Sequence, residues 1–149
     1  MSQETPVRRT IKLGEMELGR LALAVMNKEL APEEARARVD QPPVLGQIDG
    51  QVLRELNRAV YQWGRQDPRQ AAVLGELVRE AARCLANREL VGRCSSTLGF
   101  LYLRQGRIEK ARGCYRTALE HLESRGKTLA AAAQVHCDLG ELERLQHNL

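Results

Sequence analysis

The sequence predicts an all-α fold of about seven helices stacked as hairpins, on three observations. Aromatic residues make up 3% of a chain that is 43% hydrophobic, so the core has to be built mainly of Leu, Ala and Val, which suits close helix-on-helix packing. Apolar residues recur at helical spacing, as in Leu53, Leu56, Val60 and Trp63. Start and stop signals punctuate these runs, with Pro32 and Asp67-Pro68 at helix starts and Gly64 and Gly106 at turns.

Residues 1–12 are polar and lack helical periodicity, which predicts a flexible tail and leaves 13–149 as one helical domain. From Leu13 to Leu30, the residues Leu13, Met16, Leu18, Leu21, Ala22, Ala24 and Val25 form a wide apolar face for a buried first helix. Ala31 to Val39 is a short second helix, with Pro32 in its first turn and Glu33 and Glu34 at the positive end of its dipole. The two make an N-terminal pair, residues 13–40, that caps the rest. The loop Gln41-Pro42-Pro43-Val44-Leu45-Gly46 ends it. A helix from about Gln51 to Trp63 follows, then a partner from Asp67-Pro68 to about Ala86. The partner turns Ala71, Leu74, Val78, Ala81 and Leu85 inward and Arg69, Glu76, Arg79, Glu80 and Arg83 to water.

Residues 92–125 carry the clearest pattern. Small residues at Gly99, Ala111 and Ala118 let two antiparallel helices approach closely, Tyr102 and Tyr115 fill the gaps beside them, and Gly106 supplies the turn. The run Leu98-Gly99, Tyr102, Gly106, Ala111, Tyr115, Ala118 resembles a tetratricopeptide repeat, whose signature places Leu-Gly, Tyr, Gly, Ala, an aromatic and Ala over about 34 residues. The resemblance implies that residues 51–149 are repeat-like hairpins stacked as a short α-α superhelix, with degenerate repeats on either side of the central one. In the earlier unit Leu56, Val60 and Gly64 take the places of Leu98, Tyr102 and Gly106. It departs from the family in having Asn57 where Gly99 stands and in a spacing of 42 between Gly64 and Gly106. At the C-terminal end Gly140 stands 34 positions after Gly106, which makes it a second turn, with Ala132, Ala133 and His136 matching Leu98, Gly99 and Tyr102. The other register matches Leu139-Gly140 to Leu98-Gly99 and gives one continuous helix from Thr128 to about His147.

Several function classes are excluded or disfavoured. No Gly-x-Ser-x-Gly elbow, phosphate-binding glycine loop or paired catalytic carboxylate is present, so no catalytic residue is assigned and the chain is read as no enzyme. Cys84, Cys94, Cys114 and Cys137 are spread one to a helix without a Cys-x-x-Cys pair, and His121, His136 and His147 lack metal spacing, so no metal or cofactor is expected. No run approaches the roughly 20 apolar residues of a membrane span, and the N-terminus has no signal-peptide core, which predicts a cytoplasmic protein. The formal charge is +4, from 23 Lys and Arg, nearly all Arg, against 19 Asp and Glu. That small excess and the few aromatics disfavour nucleic acid as the partner.

The resemblance implies a non-enzymatic scaffold or adaptor for protein–protein interaction, whose concave face, lined by the first helix of each hairpin, holds a peptide segment or partner helix. Carried onto this sequence, the groove residues are Arg93, Ser96, Phe100 and Arg104 in the central unit. The matching positions are Gln51, Arg54, Arg58 and Gln62 before it, and Lys127, Gln134 and Asp138 after it. The arginines around Phe100 would make this groove basic and suit an acidic partner. A second reading is a self-associating or regulatory module of a larger signalling protein, in which the C-terminal helices, Ala-rich from Leu129 to Ala133, pair with a second copy.

Overall fold

The computed structural model describes residues 13–122 and 129–147, and these are helical almost throughout, with no strand among them. A 3₁₀ turn at Leu13–Glu15 leads into α1 (Glu17–Met26), α2 (Pro32–Val39), the single turn α3 (Pro42–Leu45), α4 (Gly50–Gly64), α5 (Pro68–Cys84), α6 (Arg88–Arg104), α7 (Ile108–Leu122) and α8 (Leu129–His147). Residues 1–12 and Lys127 lie outside the described residues.

The starts are set by side chains that satisfy free backbone N–H groups. Asp49 accepts from the Val52 N–H at 2.8 Å, Asp67 from Gln70 at 3.2 Å, and Asn87 from Leu90 at 3.1 Å. Each such cap stabilises its helix by about 1 kcal/mol. Two of the hairpin helices, α5 and α6, end on a left-handed residue. Gly106, at φ +75°, lets the Arg107 N–H reach the Tyr102 carbonyl at 2.9 Å, and α6 ends there. Ala86 (φ 54°) ends α5 in the same way, with the Asn87 N–H on the Ala82 carbonyl at 3.0 Å, although no glycine marks the place.

From α4 onward the helices form antiparallel hairpins, α4 with α5 and α6 with α7, each packed on the next, and α8 lies on α7. One core runs through them, with Trp63, Leu74, Leu98, Leu101 and Tyr115 fully buried. Close helix approaches need residues without side chains. A Cβ on Gly99 would stand 2.7 Å from Cε1 of Tyr115, and one on Gly64 would stand 1.9 Å from Cδ2 of Leu101. The N-terminal pair contributes Leu18, Ala22, Ala35 and Val39 to the core and packs chiefly against α5.

A polar network crosses three helices. Glu76 of α5 pairs with Arg79 at 2.8 Å and accepts a hydrogen bond from the Tyr102 hydroxyl of α6, and Arg79 reaches Sγ of Cys114 on α7 at 3.8 Å. Burial and the Glu76 contact push the Tyr102 phenol up, so it stays a donor. On the far side of α7, Arg112 bridges Glu109 on its own helix and Glu143 of α8, the latter at 3.1 Å.

Five sequence expectations are corrected here. Gly64 is not a turn residue but the last residue of α4, buried against Leu101; Gln66 stands at the turn. Leu85 lies past the end of α5 and is 37% exposed, so the inward stripe stops at Ala81 and Ala82. Glu76 and Arg79 do not face water, because Tyr102 of the next hairpin covers them. The Pro42–Leu45 segment is a helical turn that buries Val44, since Pro42 sits at its start where the missing N–H costs nothing. Gly140 is not a turn: α8 runs unbroken through it, and Ala133 and His136, matched to buried positions, are exposed. The helix is the continuous one of the second register. Gly140 still does not repeat the role of Gly99, because a Cβ there would meet nothing within 4 Å.

Candidate functional site

Helices α4, α6 and α8 present one face to a shared hollow of about 670 Å³. Asn57 and Tyr61 line it from α4, Arg93, Ser96, Thr97 and Phe100 from α6, and Gln134 and Asp138 from α8, with Leu122 at its floor. The α6 residues fall at spacings of three and four, so they share one side of the helix, turned away from Leu98, while Leu101 borders that side and enters the core.

Two aromatic rings form the apolar part of this surface. Tyr61 and Phe100 stack with centroids 4.9 Å apart and a tilt of 34°, and Tyr61 remains 45% exposed. Such pairs bury little entropy on contact, since each ring has few rotatable bonds. Arg104 lies over the outer face of Phe100, 5.7 Å from its centroid, and donates to the Arg65 carbonyl at 3.1 Å, which fixes the guanidinium at the rim. Polar groups surround the rings. Arg93 pairs with Glu89 one turn earlier at 3.0 Å, an exposed contact worth a few tenths of a kcal/mol and easily exchanged for a better one. Gln134 donates to Asp138 at 3.0 Å. Partial burial raises the Asp138 carboxyl above its ordinary range, with the Gln134 bond opposing the rise.

Of the residues expected from the sequence, the fold brings Arg93, Ser96, Phe100, Gln134 and Asp138 into one hollow and sets Arg104 at its edge. Arg54 and Arg58 are exposed on α4 but do not line it; Asn57 and Tyr61 do. The two missed residues stand 39 positions before Ser96 and Phe100, not 42, because the match of Gly64 to Gly106 set the offset three residues too long. The hollow holds one cation, Arg93, and one carboxylate, Asp138, among the described lining residues, so its charge is mixed.

A tetratricopeptide repeat family model matches residues 93–124, from the sixth residue of α6 through the end of α7. Residues 93–124 are a tetratricopeptide repeat. Its first helix supplies the groove face just described, and its second helix buries Ala111, Tyr115 and Ala118 against that helix, as the sequence pattern requires. The α4–α5 hairpin packs against α6 of the tetratricopeptide repeat while lying outside the match. Comparison with curated proteins and with solved structures finds no match for the chain. Among the described residues no helix is long and apolar enough to cross a membrane, and no group of three or more His, Cys, Asp or Glu is placed to hold a metal ion.

Proposed function

We propose that the protein is a protein-interaction module that holds an extended peptide segment or a partner helix in the groove of α4, α6 and α8. The observation that carries this reading is the Tyr61–Phe100 pair, exposed at Tyr61 and half-buried at Phe100, set in a hollow rimmed by hydrogen-bonding groups on the inner face of a tetratricopeptide repeat. Members of this repeat family are in general interaction modules without catalysis. Rigid aromatic anchors surrounded by polar groups are the composition of binding hot spots. An apolar side chain of the partner would rest on the two rings, Arg93 would exchange Glu89 for an acidic group, and Asn57, Ser96 and Gln134 would pair with the partner's backbone.

Displayed peptide libraries selected on the wild-type protein test the reading, with the selected peptides then titrated against Phe100→Ala, Tyr61→Ala and Arg93→Glu. Each aromatic truncation is expected to weaken binding at least tenfold, about 2 kcal/mol, as for a central hot spot. Arg93→Glu should select against peptides with an acidic residue. Peptides that bind all three variants as tightly as the wild type would place the interaction elsewhere on the molecule.

A further inference from the structure

A second cavity lies on the side of α6 away from the groove. Tyr102 and Gln105 project roughly opposite to Ser96 and Phe100 at 100° per residue, and they open into a pocket of about 360 Å³ between the N-terminal pair, α5 and the start of α7. Its inner wall is apolar, formed by Val25, Val73, Leu77 and the Tyr102 ring. Its mouth is cationic. Arg107 and Lys110 lie over the Tyr102 ring at 5.2 and 4.6 Å from its centroid, and Arg69 faces them from the first turn of α5.

The charges in this pocket do not balance. Its two carboxylates are already answered, Glu76 by Arg79 and the Tyr102 hydroxyl, Glu33 by Arg36 at 3.9 Å. Arg69, Arg107 and Lys110 have no carboxylate within ion-pair distance among the described residues. Arg69 and Arg107 also share an adjoining recess with Gln105, whose amide donates to the Pro68 carbonyl at 3.1 Å and ties the end of α6 to the start of α5. Both guanidinium groups border that one opening. The Tyr102 ring beneath Arg107 and Lys110 is oriented by its bond to Glu76.

We propose that this pocket binds a small phosphate monoester. Its phosphoryl group sits among Arg69, Arg107 and Lys110, and a short apolar substituent rests on Val25, Val73 and Leu77. A carboxylate carries one charge and two acceptor oxygens and would leave cations unanswered. A phosphoryl group carries close to two charges and three strong acceptors, which matches three cationic side chains, two of them planar forks. The volume lies at the lower end for small-molecule sites, which fits a compact ligand.

The test is an amide-resonance titration of the whole chain with n-butyl phosphate, beside n-butyrate and inorganic phosphate as probes that each lack one half of the ligand. Saturable shifts at Arg69, Arg107 and Lys110 are expected, with n-butyl phosphate about tenfold tighter than n-butyrate, the worth of one charge-assisted hydrogen bond, and about tenfold tighter than inorganic phosphate, the worth of about two buried CH2 groups. The exposed double variant Arg69→Gln/Arg107→Gln should lose about a hundredfold in affinity, tenfold for each guanidinium. Arg93→Gln, in the groove, should leave it unchanged. The proposal is overturned by absence of saturable shifts at probe concentrations on the order of 10 mM. Butyrate binding as tightly as butyl phosphate, the double variant binding like the wild type, or Arg93→Gln weakening binding as much as the double variant would overturn it equally.

Discussion

Replacing Gly99 by Ala sets two effects against each other, and the structure decides which wins. Inside a helix the exchange gains up to about 1 kcal/mol of propensity. At Gly99 the new methyl group would stand 2.7 Å from Cε1 and 2.9 Å from both Cδ1 and Cζ of Tyr115, where carbon contacts settle at about 3.5–4.0 Å. The Tyr115 ring is rigid and 1% exposed, so it has nowhere to retreat and α6 and α7 must separate. Overpacking of this kind costs roughly 1–3 kcal/mol. Gly113, exposed on α7 with nothing within 4 Å of its would-be Cβ, isolates the propensity gain. Urea denaturation followed by helical circular dichroism should therefore show Gly113→Ala more stable than wild type by up to about 1 kcal/mol. Gly99→Ala should fall about 2 kcal/mol below Gly113→Ala, a difference from which propensity cancels. Adding Tyr115→Leu to Gly99→Ala should cost less than the sum of the single changes, since the smaller side chain relieves the clash. Equal stability of Gly99→Ala and Gly113→Ala would refute the close contact between the two helices of the repeat.

Two other measurements follow from the titrating groups. Burial raises the Asp138 carboxyl in the folded state, so at intermediate pH the folded chain binds more protons than the unfolded one and stability falls as pH rises through that window. Asp138→Asn should accordingly melt higher than wild type at pH 7 and match it below the ordinary aspartate range; a difference unchanged by acidification would remove the burial argument. Burial also pushes the Cys94 thiol up to about 12 and raises that of Cys114, while Cys137 is exposed on α8. A thiol reagent at pH 8 should label Cys137 within the mixing time and Cys94 and Cys114 only on unfolding; rapid labelling of Cys94 would contradict its placement in the core.

The hairpins were legible because their signals are local. Asp67-Pro68 announces a helix start wherever it folds, and Gly106 announces an end, so the bounds of α4 and α5 and the end of α6 follow within two residues. The Gly99–Tyr115 contact was legible through the repeat pattern. What escaped depends on rotation of one helix against another. Asn57 and Tyr61 were missed because α4 lacks the Leu-Gly pair that sets the register, and a slip of three residues turns a different side of the helix into the groove. Glu76 and Arg79 read as solvated by periodicity, and only the arrival of Tyr102 from the following hairpin encloses them. Ala86 takes a left-handed conformation with nothing in its identity to say so. For Gly140, a spacing of 34 suggested a turn; the unbroken helix prevails because Val135 and Leu142, on either side of it, are both buried.

From α4 to α8 the helices rest mainly on their neighbours in the chain, and the α6–α7 pair makes the most extensive of these contacts. Closing such a chain needs only short loops, so assembly is quick and can begin at the middle pair and spread outward. Opening runs in the reverse order. The amides of α8, held chiefly by α7, should exchange with solvent well before those of α6. Gln134 and Asp138 make α8 one wall of the groove, so a molecule lodged there would also clasp the least secure helix to the rest. Occupancy of the groove would then be readable as slowed exchange at the end of the stack, at amides the ligand never touches.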